Sequence, residues 1–157
     1  MPERFRTTLD RVLELTILLG DDMTREFQRR GLTQARTQLL WALGDGGPST
    51  QRALADALGV SARNVTGLVD GLVRTGFVTR EPHPTDRRAT LVTPTELGTE
   101  TVTQLRRDYA ELAELLFGGL SSPRFDAFAS ALDDVVAALR DALAEEQLKA
   151  GKRRPGG

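Results

Sequence analysis

Cysteine is absent from this chain of 157 residues, histidine occurs once, and there is one tryptophan and one tyrosine. Without cysteine there can be no disulfide, no thiolate-held metal and no thiol redox sensor. One histidine, His83, has neither a second imidazole nor a thiol to work with, so the familiar nucleophile–base pairs and metal sites are not available to it. A P-loop, a dinucleotide-binding glycine motif and a His-Glu-x-x-His helix are missing too. The chain therefore reads as a non-enzyme, with no cofactor and no metal. No apolar run approaches the ~20 residues that a membrane span needs. The opening Met1-Pro2-Glu3-Arg4 lacks the charged-then-apolar layout of a secretion signal. The expectation is a cytoplasmic protein with no membrane partner. Hydrophobic residues make up 39%, slightly low for a self-sufficient globule, which points to apolar surface completed by a partner chain.

The net charge of −1 conceals segregation. Residues 23–88 hold ten basic residues against six acidic ones, whereas residues 89–150 hold five against eleven. A basic middle in a near-neutral chain suggests one surface for a polyanion and another that avoids it. All ten cations of the middle block are arginine, whose planar fork suits phosphate and guanine edges.

Residues 5–30 read as a helix, with Leu9, Val12, Leu13, Thr16, Ile17 and Leu19 near helical spacing. Gly31 punctuates, and Thr33 caps a second helix through Leu43. Trp41 on that helix reads as a core residue rather than a ligand-stacking one. Gly44-Asp45-Gly46-Gly47-Pro48 reads as a loop, after which Ser49 or Thr50 caps a short helix burying Leu54, Ala55 and Leu58. Gly59 ends it, and Ser61 starts the next helix after a tight link, with Val60 and Val65 placed to staple its entry. Two short helices joined by a glycine-containing turn are the helix-turn-helix signature. The second runs from Ala62 to about Thr75 and stops at Gly76. Strands are expected at 77–81 and 89–93. The proline-interrupted stretch 82–88 between them is an irregular basic tip. A long helix spans 96–117, and Ser122-Pro123 opens a last one with Phe125, Phe128, Leu132, Val135, Val136, Leu139 and Leu143 in helical register. The expected fold is mainly α with a small β-hairpin wing: a winged helix-turn-helix plus a helical dimerisation region. Its divisions are an N-terminal dimerisation helix (1–32), the winged domain (33–98), C-terminal dimerisation helices (99–148) and a disordered basic tail (149–157).

On the helix after Ser61, Val65, Leu68, Val69, Leu72 and Val73 fall on one face and Arg63, Gly67, Asp70 and Arg74 opposite, with Asn64, Thr66 and Gly71 at the flanks. Arg can fork onto guanine, Asn onto adenine, and Thr can bond a base or pack on a thymine methyl. Gly67 allows close approach of the backbone, and the helix N-terminus attracts phosphate. In the tip, Asp86 and Arg88 sit two apart, so the carboxylate can hold the guanidinium for a narrow minor groove. Arg80 and Arg87 are expected on phosphates, and His83 is expected exposed at the tip, within reach of DNA.

Residues 33–100 resemble the DNA-binding core of the MarR family. The resemblance rests on Leu54-Ala55-Asp56-Ala57-Leu58-Gly59-Val60-Ser61, Val65-Thr66-Gly67-Leu68-Val69-Asp70-Gly71-Leu72, Gly76-Phe77-Val78, Asp86-Arg87-Arg88-Ala89 and Thr95-Glu96-Leu97-Gly98. It implies a homodimer held by the terminal helices, with a recognition helix in a major groove and a wing in the adjacent minor groove. It also implies a transcriptional regulator, expected to be a repressor of a pseudo-palindromic double-stranded DNA operator, with release by a phenolic or other aromatic acid as a possible effector. The ligand-binding residues are not identified. The candidate DNA-contacting residues are Thr50, Gln51, Ser61, Arg63, Asn64, Thr66, Gly67 and Arg74 on the helical motif and Arg80, His83, Asp86, Arg87 and Arg88 on the wing. Two departures stand out: Gly67 replaces a longer polar or basic residue, implying one base contact fewer, and Pro94 replaces an aliphatic residue. The alternative is a winged helix used for protein contact, or a dimer without specific DNA binding, and salt dependence of DNA affinity separates the two readings.

Overall fold

The computed structural model describes residues 2–152. In order along the chain come α1 (Pro2–Arg29), α2 (Gln34–Gly46), β1 (Ser49–Thr50), α3 (Gln51–Leu58) and α4 (Ala62–Arg74). They are followed by β2 (Val78–Pro82), β3 (Thr90–Pro94), α5 (Glu96–Phe117) and α6 (Ser122–Lys152). The chain divides into two compact units, Met1–Arg106 and Arg107–Gly157, so α5 begins in one and ends in the other. Among the described residues no helix is long and apolar enough to cross a membrane.

Each junction of the first unit has a local cause. Gly31, at φ 72°, closes α1, and the Leu32 N–H returns to the Phe27 carbonyl at 2.8 Å, satisfying an end-of-helix acceptor. Thr33 caps α2 by accepting from the Arg36 N–H at 3.3 Å. The helix then continues through Gly46, three residues beyond the expected end at Leu43. The turn falls instead at Gly47 (φ 71°), the position that favours glycine. Gly44 stays helical and lies close to α5: a Cβ there would come within 2.8 Å of Val102 Cγ1. Asp45 beside it pairs with Arg106.

The sheet has three strands in the order β1-β3-β2, all antiparallel neighbours. The expected hairpin is present one residue further along the chain, with Val78 opposite Pro94 and Pro82 opposite Thr90. Pro82 is tolerated because β2 is an edge strand. Pro94 closes β3, and Thr95 then accepts the Gly98 N–H at 3.1 Å to cap α5. A Cβ at Gly98 would run into the Phe77 carbonyl oxygen, so the spacing from Thr95 to Gly98 encodes a cap and a close approach together.

The core gathers Leu39, Leu40 and Leu43 of α2, Leu54 of α3, Val65, Val69 and Leu72 of α4, Val78 and Val92 of the sheet, and Val102 and Leu105 of α5. Each such side chain, fully buried, contributes about 1.5–3 kcal/mol. From α1 only the end joins in, through Phe27 with Met23 packed against it. In the second unit Phe117 meets Phe125 edge-on at 5.6 Å and Phe128 at 5.9 Å across the turn between α5 and α6. Residues 149–152, expected in a disordered tail, continue α6, where Lys149 lies 3.6 Å from Glu145 one turn back. Residues 153–157 of that tail lie outside the described residues.

Candidate nucleic-acid interface

The turn between α3 and α4 is made by Gly59, left-handed at φ 64°, whose N–H reaches back to the last carbonyls of α3. Ser61 Oγ accepts the Asn64 N–H at 3.1 Å and starts α4. Val60 is partly buried against the core cluster to which the fully buried Val65 belongs. Burying Val65, Val69 and Leu72 forces Arg63, Asn64, Thr66 and Gly67 outward, and all four are exposed. A Cβ at Gly67 would meet nothing within 4 Å, so the helix is bare there. Two residues of α4 differ from the wheel. Val73 lies exposed at the edge of the apolar face, and Gly71 is buried beneath the Arg36 guanidinium, which occupies the space a side chain would need.

Thr66 does not present a free hydroxyl. Its Oγ1 lies 2.9 Å from Gln51 Oε1 and 3.0 Å from the Ala62 carbonyl, and its single proton serves one of these acceptors. Gln51, half-buried at the start of α3, is thereby held by the recognition helix. Thr50 is spent on capping α3, accepting from Ala53 N–H at 3.2 Å, and also forms part of β1, a strand absent from the sequence reading. Arg52, exposed on the first turn of α3, is a further cation that the reading left out.

The wing corrects three expectations. Arg80 is not free for phosphate: its guanidinium sits 2.5 Å from Asp70 of α4, tying β2 to the recognition helix. Arg74 at the end of α4 remains exposed without an ion-pair partner among the described residues. Asp86 does not grip the Arg88 guanidinium. Its Oδ1 accepts the Arg88 backbone N–H at 2.9 Å, ordering the chain and leaving the charged end of Arg88 exposed beside exposed Arg87. His83 is half-buried, not exposed, with its ring engaged by the tip's own backbone. The carboxylate and imidazole could be named from sequence, but a side chain bonding to backbone two or three residues away leaves no periodic signal.

What results is a helix N-terminus carrying Arg63 and Asn64, and a β-ribbon tip carrying Arg87 and Arg88, within one compact unit. An exposed helical face beside a cationic ribbon can engage a major groove and a neighbouring minor groove.

Comparison with known proteins agrees with this geometry. Residues 30–89 match the model described as the MarR family. Over 99 residues the chain is 38% identical to the HTH-type transcriptional regulator Mb0904 of Mycobacterium bovis, covering 62% of this chain and 68% of that one. It is 33% identical over 91 residues to the HTH-type transcriptional repressor NicR of Pseudomonas putida, covering 58% of each. The chain spans about half the length of the first curated relatives it matches, 45% of one and 58% of another. Among solved structures, FabT of Streptococcus pneumoniae in complex with DNA shares the fold with a TM-score of 0.73 at 18% identity, over 90% of this chain and 99% of that one. The chain belongs to the MarR family, winged-helix regulators of transcription rather than enzymes.

Proposed function

We propose that this chain is a homodimeric repressor that binds a pseudo-palindromic site on duplex DNA. Each recognition helix enters a major groove and each wing reaches the adjacent minor groove. The observation that carries the reading is the pairing of two cationic elements in one unit. Arg63 and Asn64 are exposed at the start of α4, and Arg87 and Arg88 are exposed at the tip of a wing that Asp70 and Arg80 fasten to the same helix. Arg63 and Asn64 read guanine and adenine edges, Arg88 reads the minor groove, and Arg87 and Arg74 take phosphates. Support for a repressor comes from NicR, which is named as one.

The dimer follows from apolar faces that the chain does not cover. Phe5, Leu9, Leu13 and Ile17 on α1, and Leu132, Val135, Val136 and Leu139 on α6, are all exposed at helical spacing. A second copy covers them in this reading. Release by a phenolic or other aromatic acid completes the proposal.

Selection of bound fragments from the source genome, followed by titration of the recovered site, tests it. Half-sites about one helical turn, roughly 34 Å, apart are expected. Affinity is expected to fall on the order of a hundredfold between 50 and 200 mM salt, as four arginine–phosphate contacts per dimer release their counterions. Failure to recover a symmetric site, or binding indifferent to salt, overturns the reading. Addition of benzoate-type acids to the bound complex then tests the effector.

A further inference from the structure

We propose that His83 is a positioning residue of the wing, and that its neutral imidazole shapes the tip that presents Arg87 and Arg88. The inference rests on the DNA-binding reading above and assigns a role to the one histidine of the chain. Its Nδ1 accepts the backbone N–H of Asp86 at 3.1 Å and that of Thr85 at 3.3 Å, with the Thr85 hydroxyl also at 3.3 Å. A backbone N–H can only donate. Nδ1 in this arrangement therefore carries no proton.

The bonds continue from the ring toward the arginines. The His83 N–H donates to the Ala89 carbonyl at 3.1 Å, and the Ala89 N–H donates to the Asp86 carbonyl at 3.0 Å. Asp86, whose own N–H is held by the imidazole, accepts the Arg88 N–H at 2.9 Å. The imidazole thus sets the backbone at Asp86, and Asp86 sets it at Arg88. Seven residues separate the paired ends of β2 and β3, longer than the common hairpin loops of two to five residues, so the tip needs an internal anchor.

The test uses the full chain and its selected DNA site. His83→Ala should bind about tenfold more weakly than the wild type, the scale of a lost backbone hydrogen bond or two. His83→Asn, which keeps an acceptor near the Nδ1 position, should recover most of that loss. In the free protein, the amide protons of Thr85 and Asp86 should exchange with solvent faster in His83→Ala than in the wild type, with His83→Asn between. Wild-type affinity in His83→Ala, a His83→Asn variant no better than His83→Ala, or amide exchange unchanged in His83→Ala would each overturn the proposal. If none of the three binds DNA while the amides still respond to the substitution, the DNA-binding reading fails and the internal role of His83 stands.

Discussion

α4 and α6 are both amphipathic helices, yet the chain treats their apolar faces in opposite ways. Val65, Val69 and Leu72 of α4 are each 0% exposed, covered by α2, α3 and the sheet. Val136 and Leu139 of α6 remain 38% and 60% exposed, and Leu132 and Val135 fall between. The pattern in sequence is the same, an apolar stripe at helical spacing, and only the location of the covering surface differs. The winged domain finds it within the chain, whereas α6 and the first part of α1 do not. A stripe of this size left to water would be a liability, so its retention argues for a second copy.

The sharpest way to break that contrast is to place charge on the bare stripe. Leu132→Glu with Val136→Glu should split the proposed dimer, because a buried unpaired carboxylate is costly. Affinity for a two-half-site operator should fall by on the order of a hundredfold as the avidity of two linked modules is lost. Analytical ultracentrifugation checks the first effect, and a dimer that persists refutes the assignment. The winged domain should keep its circular dichroism, since neither residue belongs to the buried core.

Trimming one leucine in each place should then separate the two kinds of burial. Leu72→Ala removes a fully enclosed side chain and should cost about 2–5 kcal/mol at any protein concentration. Leu139→Ala should cost less, and its effect should depend on concentration, because what it weakens is association. Denaturant melts at two concentrations tenfold apart distinguish the cases.

Much of the winged domain was legible because its signals are short-range. Gly59, Ser61 and Val65 announce a turn, a cap and a buried face within seven residues, and all three act as read. What escaped depends on neighbours distant in sequence or on bonds without periodicity. β1 is two residues long, too short to alternate, and exists only because Ser49 and Thr50 lie opposite Val92 and Leu91. Gly44 reads as a loop residue until α5 is seen against it. Asp70 has a basic residue four positions on, Arg74, but pairs with Arg80 across the helix–strand junction. The Thr95-to-Gly98 spacing was visible as a family motif, and only the structure supplies its cause, the Phe77 carbonyl lying where a side chain would stand. Gly98→Ala should accordingly destabilise the winged domain by roughly 1–3 kcal/mol, whereas Gly67→Ala, in open space on a helix, should leave stability level or slightly raised. Thermal melts of the two variants make that comparison directly.

Next in size is the wing. Arg88→Ala should weaken operator binding by more than ~1 kcal/mol without changing the melt, because its guanidinium is exposed and makes no ion pair among the described residues. A gel-shift titration showing unchanged affinity removes the minor-groove role.

The smallest expected effect belongs to the tie between α4 and the wing. Asp70 and Arg80 keep 53% and 32% of their side-chain surfaces exposed, so their attraction is screened by water and worth under ~1 kcal/mol of stability. Asp70→Asn should therefore shift the melt little. Its effect on binding is the more informative quantity, because two terms oppose each other. Loss of a carboxylate from the DNA-facing side lowers repulsion, and loss of the tie lets the wing swing relative to α4. The wing is also joined to that helix by the short link Thr75-Gly76-Phe77, where the Phe77 N–H bonds the Leu72 carbonyl at 2.9 Å, so backbone and core already set most of its direction. The net change in affinity should thus be smaller than for Arg88→Ala. A loss as large as that of Arg88→Ala would mean that this ion pair, rather than the buried junction beneath it, orients the wing.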